Sequence, residues 1–208
     1  MNRVVKFFIL SDFLFWGGWG LLSPIFAVFI LQRLGSANVF TVGAAAALYY
    51  LTKAVAEVPI SFYLDKHEGE KDDFHALLLG LLLGGCVSLI FLSIRSLPAL
   101  FLSMIVQGVA FALYSSSWPA IFSRHLDKDH FSLEWTMDHF GIDLISAGTA
   151  FLGGSLALFL GFNFIFILSA AAAFTAVALL FFVPDLILPK ETLKEPILRD
   201  HVGPTIGK

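Results

Sequence analysis

Charge and cysteine are what this sequence has little of. Lys, Arg, Asp and Glu make up 14% of its 208 residues, against about 25% in soluble domains. That shortage excludes an ordinary soluble fold. It also excludes a disordered chain, which needs high charge and low hydrophobicity. Thirteen basic residues against sixteen acidic ones give a net charge of −3. They form no basic patch, so no nucleic-acid partner is expected. A single cysteine, Cys86, allows no disulfide within these residues. Two loops gather acidic and histidine side chains: His67, Glu68, Glu70, Asp72, Asp73 and His75 in one, and His125, Asp127, Asp129 and His130 in the other. Neither has a His-Glu-x-x-His or comparable spacing, so no metal, no cofactor and no enzymatic activity are expected. Period-2 alternation is also missing, which excludes an outer-membrane barrel.

What is present is apolar length. Apolar residues make up 58% of the chain. They collect in six runs bounded by charge, Gly, Pro or Asn: Phe7–Leu31, Asn38–Phe62, His75–Ile94, Pro98–Phe122, Met137–Leu160 and Phe162–Pro184. Each is long enough to cross a bilayer as a helix, which takes about 20 residues. The first run is too long for the core of a signal peptide, and no small-x-small cleavage site follows it. The expected architecture is therefore an all-α integral membrane bundle over residues 1–186. A polar tail follows at 187–208, with Pro189, Pro196 and Pro204. Lys and Arg are lopsided. Arg3, Lys6, Lys66, Lys71, Arg124, Lys128, Lys190, Lys194, Arg199 and Lys208 fall on one side, against Arg33 and Arg95 on the other. The positive-inside rule places both termini in the cytoplasm of a cell that carries the protein in its plasma membrane.

Only five charged residues lie inside the runs: Asp12, Lys53, Glu57, Asp138 and Asp143. A charge in a membrane span costs about 2.5–3.5 kcal/mol on insertion scales, so it faces a cavity or a partner. At a rise of about 1.5 Å per residue, Lys53 lies about 5 Å, Asp143 about 8 Å, and Glu57 and Asp12 about 10 Å to the basic side of their span centres. These four share one layer. Lys53 and Glu57 are four residues apart on one helix face, as are His139 and Asp143. Three carboxylates against one ammonium leave an acidic excess, which suits a group that takes up and releases a proton. Glu57 and Asp143 are the expected titrating groups. The competing reading is a static polar network that locks helix packing. Asp12 and Asp138 stand nearer the interface, where snorkelling to water is the alternative. Gln107 lies mid-membrane and suits either a solute or a helix–helix hydrogen bond. Trp19, Tyr50 and Tyr114 are expected to line a cavity, against packing and lipid contact as the alternative.

The loop after the second run reads Glu57-Val-Pro59-Ile-Ser61-Phe-Tyr-Leu-Asp65-Lys66-His-Glu-Gly69-Glu70-Lys71. Pro59 is expected to limit the helix, and Gly69 to permit a turn. This segment resembles the loop between the second and third helices of the major facilitator superfamily. Glu57, Pro59, Asp65, Lys66, Gly69 and Lys71 match. Ser61 takes the place of a usual glycine and Glu70 that of a usual base. The first run, with Gly17-Gly-Trp-Gly20 and Pro24, also resembles that family, as do Gln107-Gly108 and Gly153-Gly154. Met104 stands where the family has an arginine, and Thr149-Ala150 where its antiporters have Gly-Pro. The resemblance covers residues 1 to about 186 and corresponds to the N-terminal six-helix half of a twelve-helix transporter. It implies two inverted three-helix repeats, and Ser23-Pro24-Ile25-Phe26 faintly echoes Trp118-Pro119-Ala120-Ile121-Phe122 between them. It further implies gating by Asp65, Lys66, Gly69 and Lys71, a small-molecule substrate, surrounding lipid, and either a homodimer or a second six-helix half. The rival is a non-transporting membrane binding or assembly subunit on the same half-bundle.

Overall fold

The protein is described by a computed structural model over residues 3–66 and 70–183. Gly69 and the tail 187–208 lie outside the described residues. Those described are helical with short connections: α1 Arg3–Leu22, α2 Phe26–Arg33, α3 Val39–Lys66, α4 Lys71–Ile90, α5 Leu97–His125 and α6 Phe131–Leu180. All but α2 are long and apolar enough to cross a membrane. The chain is thus a multi-pass, all-α membrane protein.

The first run is one span made of two helices. Pro24 has no N–H to give, and α1 stops at Leu22 before α2 resumes at Phe26. Asn38 and Thr41 cap the second span reciprocally: Thr41 N donates to Asn38 Oδ1 at 3.0 Å, and Asn38 N to Thr41 Oγ1 at 3.2 Å. Pro59 does not end that helix, contrary to the sequence expectation. α3 runs on to Lys66. Pro59 frees only the Val55 carbonyl, and α5 braces the helix around it: Ser116 Oγ donates to the Glu57 carbonyl at 3.4 Å and Ser61 Oγ donates to Ser116 Oγ at 2.9 Å. Membrane helices tolerate proline on these terms.

α6 is 50 residues long, or about 75 Å if straight at 1.5 Å per residue, far beyond one bilayer. It folds back at Gly161, whose φ of 78° and ψ of 166° belong to a region open essentially to glycine alone. Residues 131–160 and 162–180 are therefore two arms, the fifth and sixth spans, divided where the sequence placed the boundary.

The packing pairs the spans as two related triplets. α1 lies between the arms of α6. The Gly153 position meets the Leu21 backbone in the first arm, and Gly18 meets Ser169 and Ala172 in the second. α5 lies between α3 and α4 in the same way, with Gly108 against Tyr49 and Lys53, and Gly80 against Ala110 and Tyr114 backbone. The third and sixth spans join across the middle, where Ser88 Oγ and Ser169 Oγ are 3.3 Å apart. Exchanging spans one, two and three with four, five and six maps the outer contacts onto one another and the central third–sixth contact onto itself. This is the pattern of two inverted three-helix repeats. Small residues set these approaches, as expected where no hydrophobic effect drives helix association.

Candidate functional site

The intramembrane charges separate into two groups. The inner group lies where α1, α5 and the first arm of α6 meet. Asp12 is 1% exposed and Asp138 2%. Neither snorkels to water, which corrects the interfacial alternative: flanking aromatics seal them in. Phe15 stacks near Tyr114 at 5.1 Å, and Trp118 contacts Trp135 at 5.9 Å. The Tyr114 hydroxyl donates to Asp12 Oδ1, and Trp16 Nε1 donates to the Tyr114 hydroxyl at 3.1 Å. Asp12 Oδ2 and Asp138 Oδ1 are buried with no hydrogen-bond partner among the described residues. Glu134, one turn before Asp138, is buried too and accepts from the Asp127 backbone N–H at 2.9 Å.

The outer group lies on α3 and the open side of α6. Lys53 Nζ and Glu57 Oε2 are 3.7 Å apart, as their spacing predicts, and both remain partly exposed. Asp143 is exposed. The single layer read from the sequence therefore divides: Asp12 sits inside the bundle with Tyr114, and Lys53, Glu57 and Asp143 are outside it. Of the expected cavity residues, Tyr114 and Gln107 are buried, Trp19 is partly buried against Phe111 at 5.2 Å, and Tyr50 is 66% exposed. Gln107 Nε2 has no partner among the described residues.

On the basic side, Asp65 and Lys66 close α3 and Lys71 opens α4, all three exposed. Asp65 is within electrostatic reach of Asp73, which accepts from the Arg124 guanidinium at the end of α5. Next to it, His125 Nε2 and Glu70 Oε2 are 3.6 Å apart. Burial pushes the Glu70 carboxyl above its usual range, and the neighbouring His125 and Arg124 oppose that shift. The motif loop thus leads into a clasp between the start of α4 and the end of α5. The sequence pattern does not single out this clasp, because Asp73 and Arg124 are 51 residues apart in the chain. Asp138 and Trp16 were likewise not proposed as site residues. Their signal was present: Trp16 follows Asp12 by four positions, and Asp138 follows Glu134 by four, so each shares a helix face with a polar neighbour.

A search of curated proteins found no match. The sequence profile of the Major Facilitator Superfamily matches residues 8–201. With nearly the whole chain matched and the spans paired as inverted triplets, the chain belongs to the major facilitator superfamily of membrane transporters and presents one six-helix unit of that fold.

Proposed function

We propose that the protein is a proton-coupled secondary transporter that moves a small solute by alternating access, with two six-helix units facing one another. One observation carries this reading: ionisable side chains are exposed at membrane depth. Asp143 is exposed, and the Lys53 and Glu57 side chains are 27% and 35% accessible. Hydrocarbon does not cover such groups; a water-filled cavity or a second unit does. They stand on α3 and the first arm of α6, which correspond under the repeat symmetry. α3 is also the least buried of the long helices. Its open surface carries Tyr50, Val55, Val58 and Phe62, an apolar frame around a charged centre.

In this reading the acidic excess holds the coupling proton. Lys53 bridges Glu57 in one state, and solvent access to Glu57, Asp143 and Asp12 alternates between the two sides. Asp65, Lys66, Gly69 and Lys71 gate the basic side, which faces the cytoplasm of a plasma-membrane protein. The partner is a second copy or a separate six-helix half.

The test is a set of proteoliposomes holding a trapped pH dye, challenged with a panel of sugars, amino acids and organic ions. At least one solute is expected to collapse an imposed pH gradient. Glu57→Gln and Asp143→Asn are expected to slow that collapse. Gradient-driven uptake that survives both substitutions refutes proton coupling through this layer.

A further inference from the structure

We infer that Asp12 and Asp138 form one proton-binding site, in which two carboxyl groups share a single proton across the junction of α1 and the first arm of α6. The inference rests on the proton-coupled reading for its role in transport, and on the packing for its existence.

The register places the two carboxyls at nearly the same height. α1 and the first arm run parallel, with Phe13 3.7 Å from the Cβ position of Gly141 and Ile145 beside Gly17. Three residues back on both helices, Asp138 is level with residue 10, so Asp12 and Asp138 differ in height by about 3 Å at the helical rise. Asp12 lies within electrostatic range of Asp138, and Tyr114 lies within range of both.

Among the described residues nothing basic neutralises them. On α1 the nearest base is Lys6, which is exposed. On α5 the facing groups are Tyr114, whose hydroxyl is a donor to Asp12, and the rings of Trp118 and Phe122. On the first arm they are Glu134, buried one turn away, and His139, exposed beside Trp135. α4 and the second arm contribute Phe74, Leu77, Leu81, Ala173 and Ala176 to the same core, and the one buried charge α4 brings, Asp73, is paired with Arg124. The ion pairs among the described residues involve neither aspartate.

One oxygen of each carboxyl is buried without a partner, Oδ2 of Asp12 and Oδ1 of Asp138. Two buried carboxylates within electrostatic range and without a counter-charge bind one proton between them, as coupled acid dyads do. Uptake breaks an O–H bond of hydronium and forms a carboxyl O–H. Water leaves, and the pair passes from two negative charges to one. That hydroxyl then donates to the oxygen of the other carboxyl that now lacks a partner. Tyr114 holds Asp12 Oδ1 throughout. Loss of the proton restores two like charges at the α1–α6 junction and drives those helices apart, which couples protonation to opening on the basic side.

Infrared difference spectroscopy between neutral and alkaline pH, on the full chain in lipid nanodiscs and in a Glu70→Gln background, tests the site without any solute, because ordinary carboxyls are ionised at both ends of that range. This parent chain is expected to show the carbonyl stretch of one protonated carboxyl per chain. The band should persist in Asp129→Asn, a distant exposed aspartate. It should shift in frequency in Tyr114→Phe, which keeps the ring and removes the donor. It should vanish in the double variant Asp12→Asn with Asp138→Asn, checked for native helicity and a single elution peak. A band that survives the double substitution, or that disappears instead in Glu57→Gln or Asp143→Asn, overturns the assignment. If the double variant does not fold, the Tyr114→Phe shift decides: an unmoved band also overturns it. A band that behaves as expected while no solute ever collapses a pH gradient leaves the pair intact and refutes the transport reading instead.

Discussion

Tyr114 is the residue on which the buried polar cluster turns. Its hydroxyl receives Trp16 Nε1 and donates to Asp12, so it satisfies groups on α1 from a position on α5. Tyr114→Phe leaves a buried acceptor and a buried donor without partners. The expected loss is about 1–3 kcal/mol, read as a lower thermal unfolding midpoint by circular dichroism in detergent. Trp16→Phe removes only a donor and is expected to cost less, about 0.5–1.5 kcal/mol. Equal losses for the two variants would show that the hydroxyl does not hold the cluster. Glu70 gives a pH dependence of known sign. Its carboxyl is raised by burial in the folded protein. A carboxyl raised on folding stabilises the fold while protonated, and that contribution is lost as pH climbs through its folded value. The unfolding midpoint is therefore expected to fall as pH rises above the ordinary carboxylate range. Glu70→Gln should flatten that fall, and a variant curve parallel to that of the wild type would count against it.

At the scale of elements, two glycines make the fold possible, for different reasons. Gly161 turns the polypeptide back on itself with φ of 78°. A side chain there meets open space but a forbidden backbone. Gly161→Val is expected to cost about 1–3 kcal/mol through strain alone, visible as a lower unfolding midpoint with the packing of α5 intact. Gly108 has ordinary helical geometry but no room. A Cβ there would stand 2.8 Å from the Tyr49 carbonyl and 3.0 Å from the Lys53 nitrogen. Gly108→Leu therefore pushes α3 away from α5 and is expected to cost at least the ~1–3 kcal/mol typical of overpacking. It also moves Lys53 and Glu57, so solute-driven pH collapse should suffer more from Gly108→Leu than from Gly161→Val.

At the scale of the molecule, the uncovered flank sets the expectation for assembly. Val55 and Val58 lie on the open side of α3. In a Cys86→Ser background, Val55→Cys or Val58→Cys is expected to cross-link two chains in native membranes. Leu102→Cys, exposed on α5 away from that flank, is expected to cross-link poorly. Comparable yields from all three positions would argue for random collision rather than a defined interface.

Sequence alone determined the spans, because membrane insertion is a local transaction between a stretch of apolar residues and lipid. Hydropathy located six runs, and Gly161 stands in the one-residue gap between the last two. The Lys53–Glu57 pair was legible too, since four residues along a helix is a short-range geometry. Pro59 was misread because the helix that braces α3 around it is α5, through Ser116, far away in the chain. Asp12 and Asp138 were placed near water because depth is all that position in a span conveys. Which way a side chain faces depends on neighbours brought in from elsewhere. Tertiary packing alone set Asp12 beside Tyr114, buried Asp138, left Asp143 outside, and joined Asp73 to Arg124. Those choices follow from shape: small residues let α1 settle between the arms of α6, and whatever carboxyl lies on that buried face is sealed from water with it.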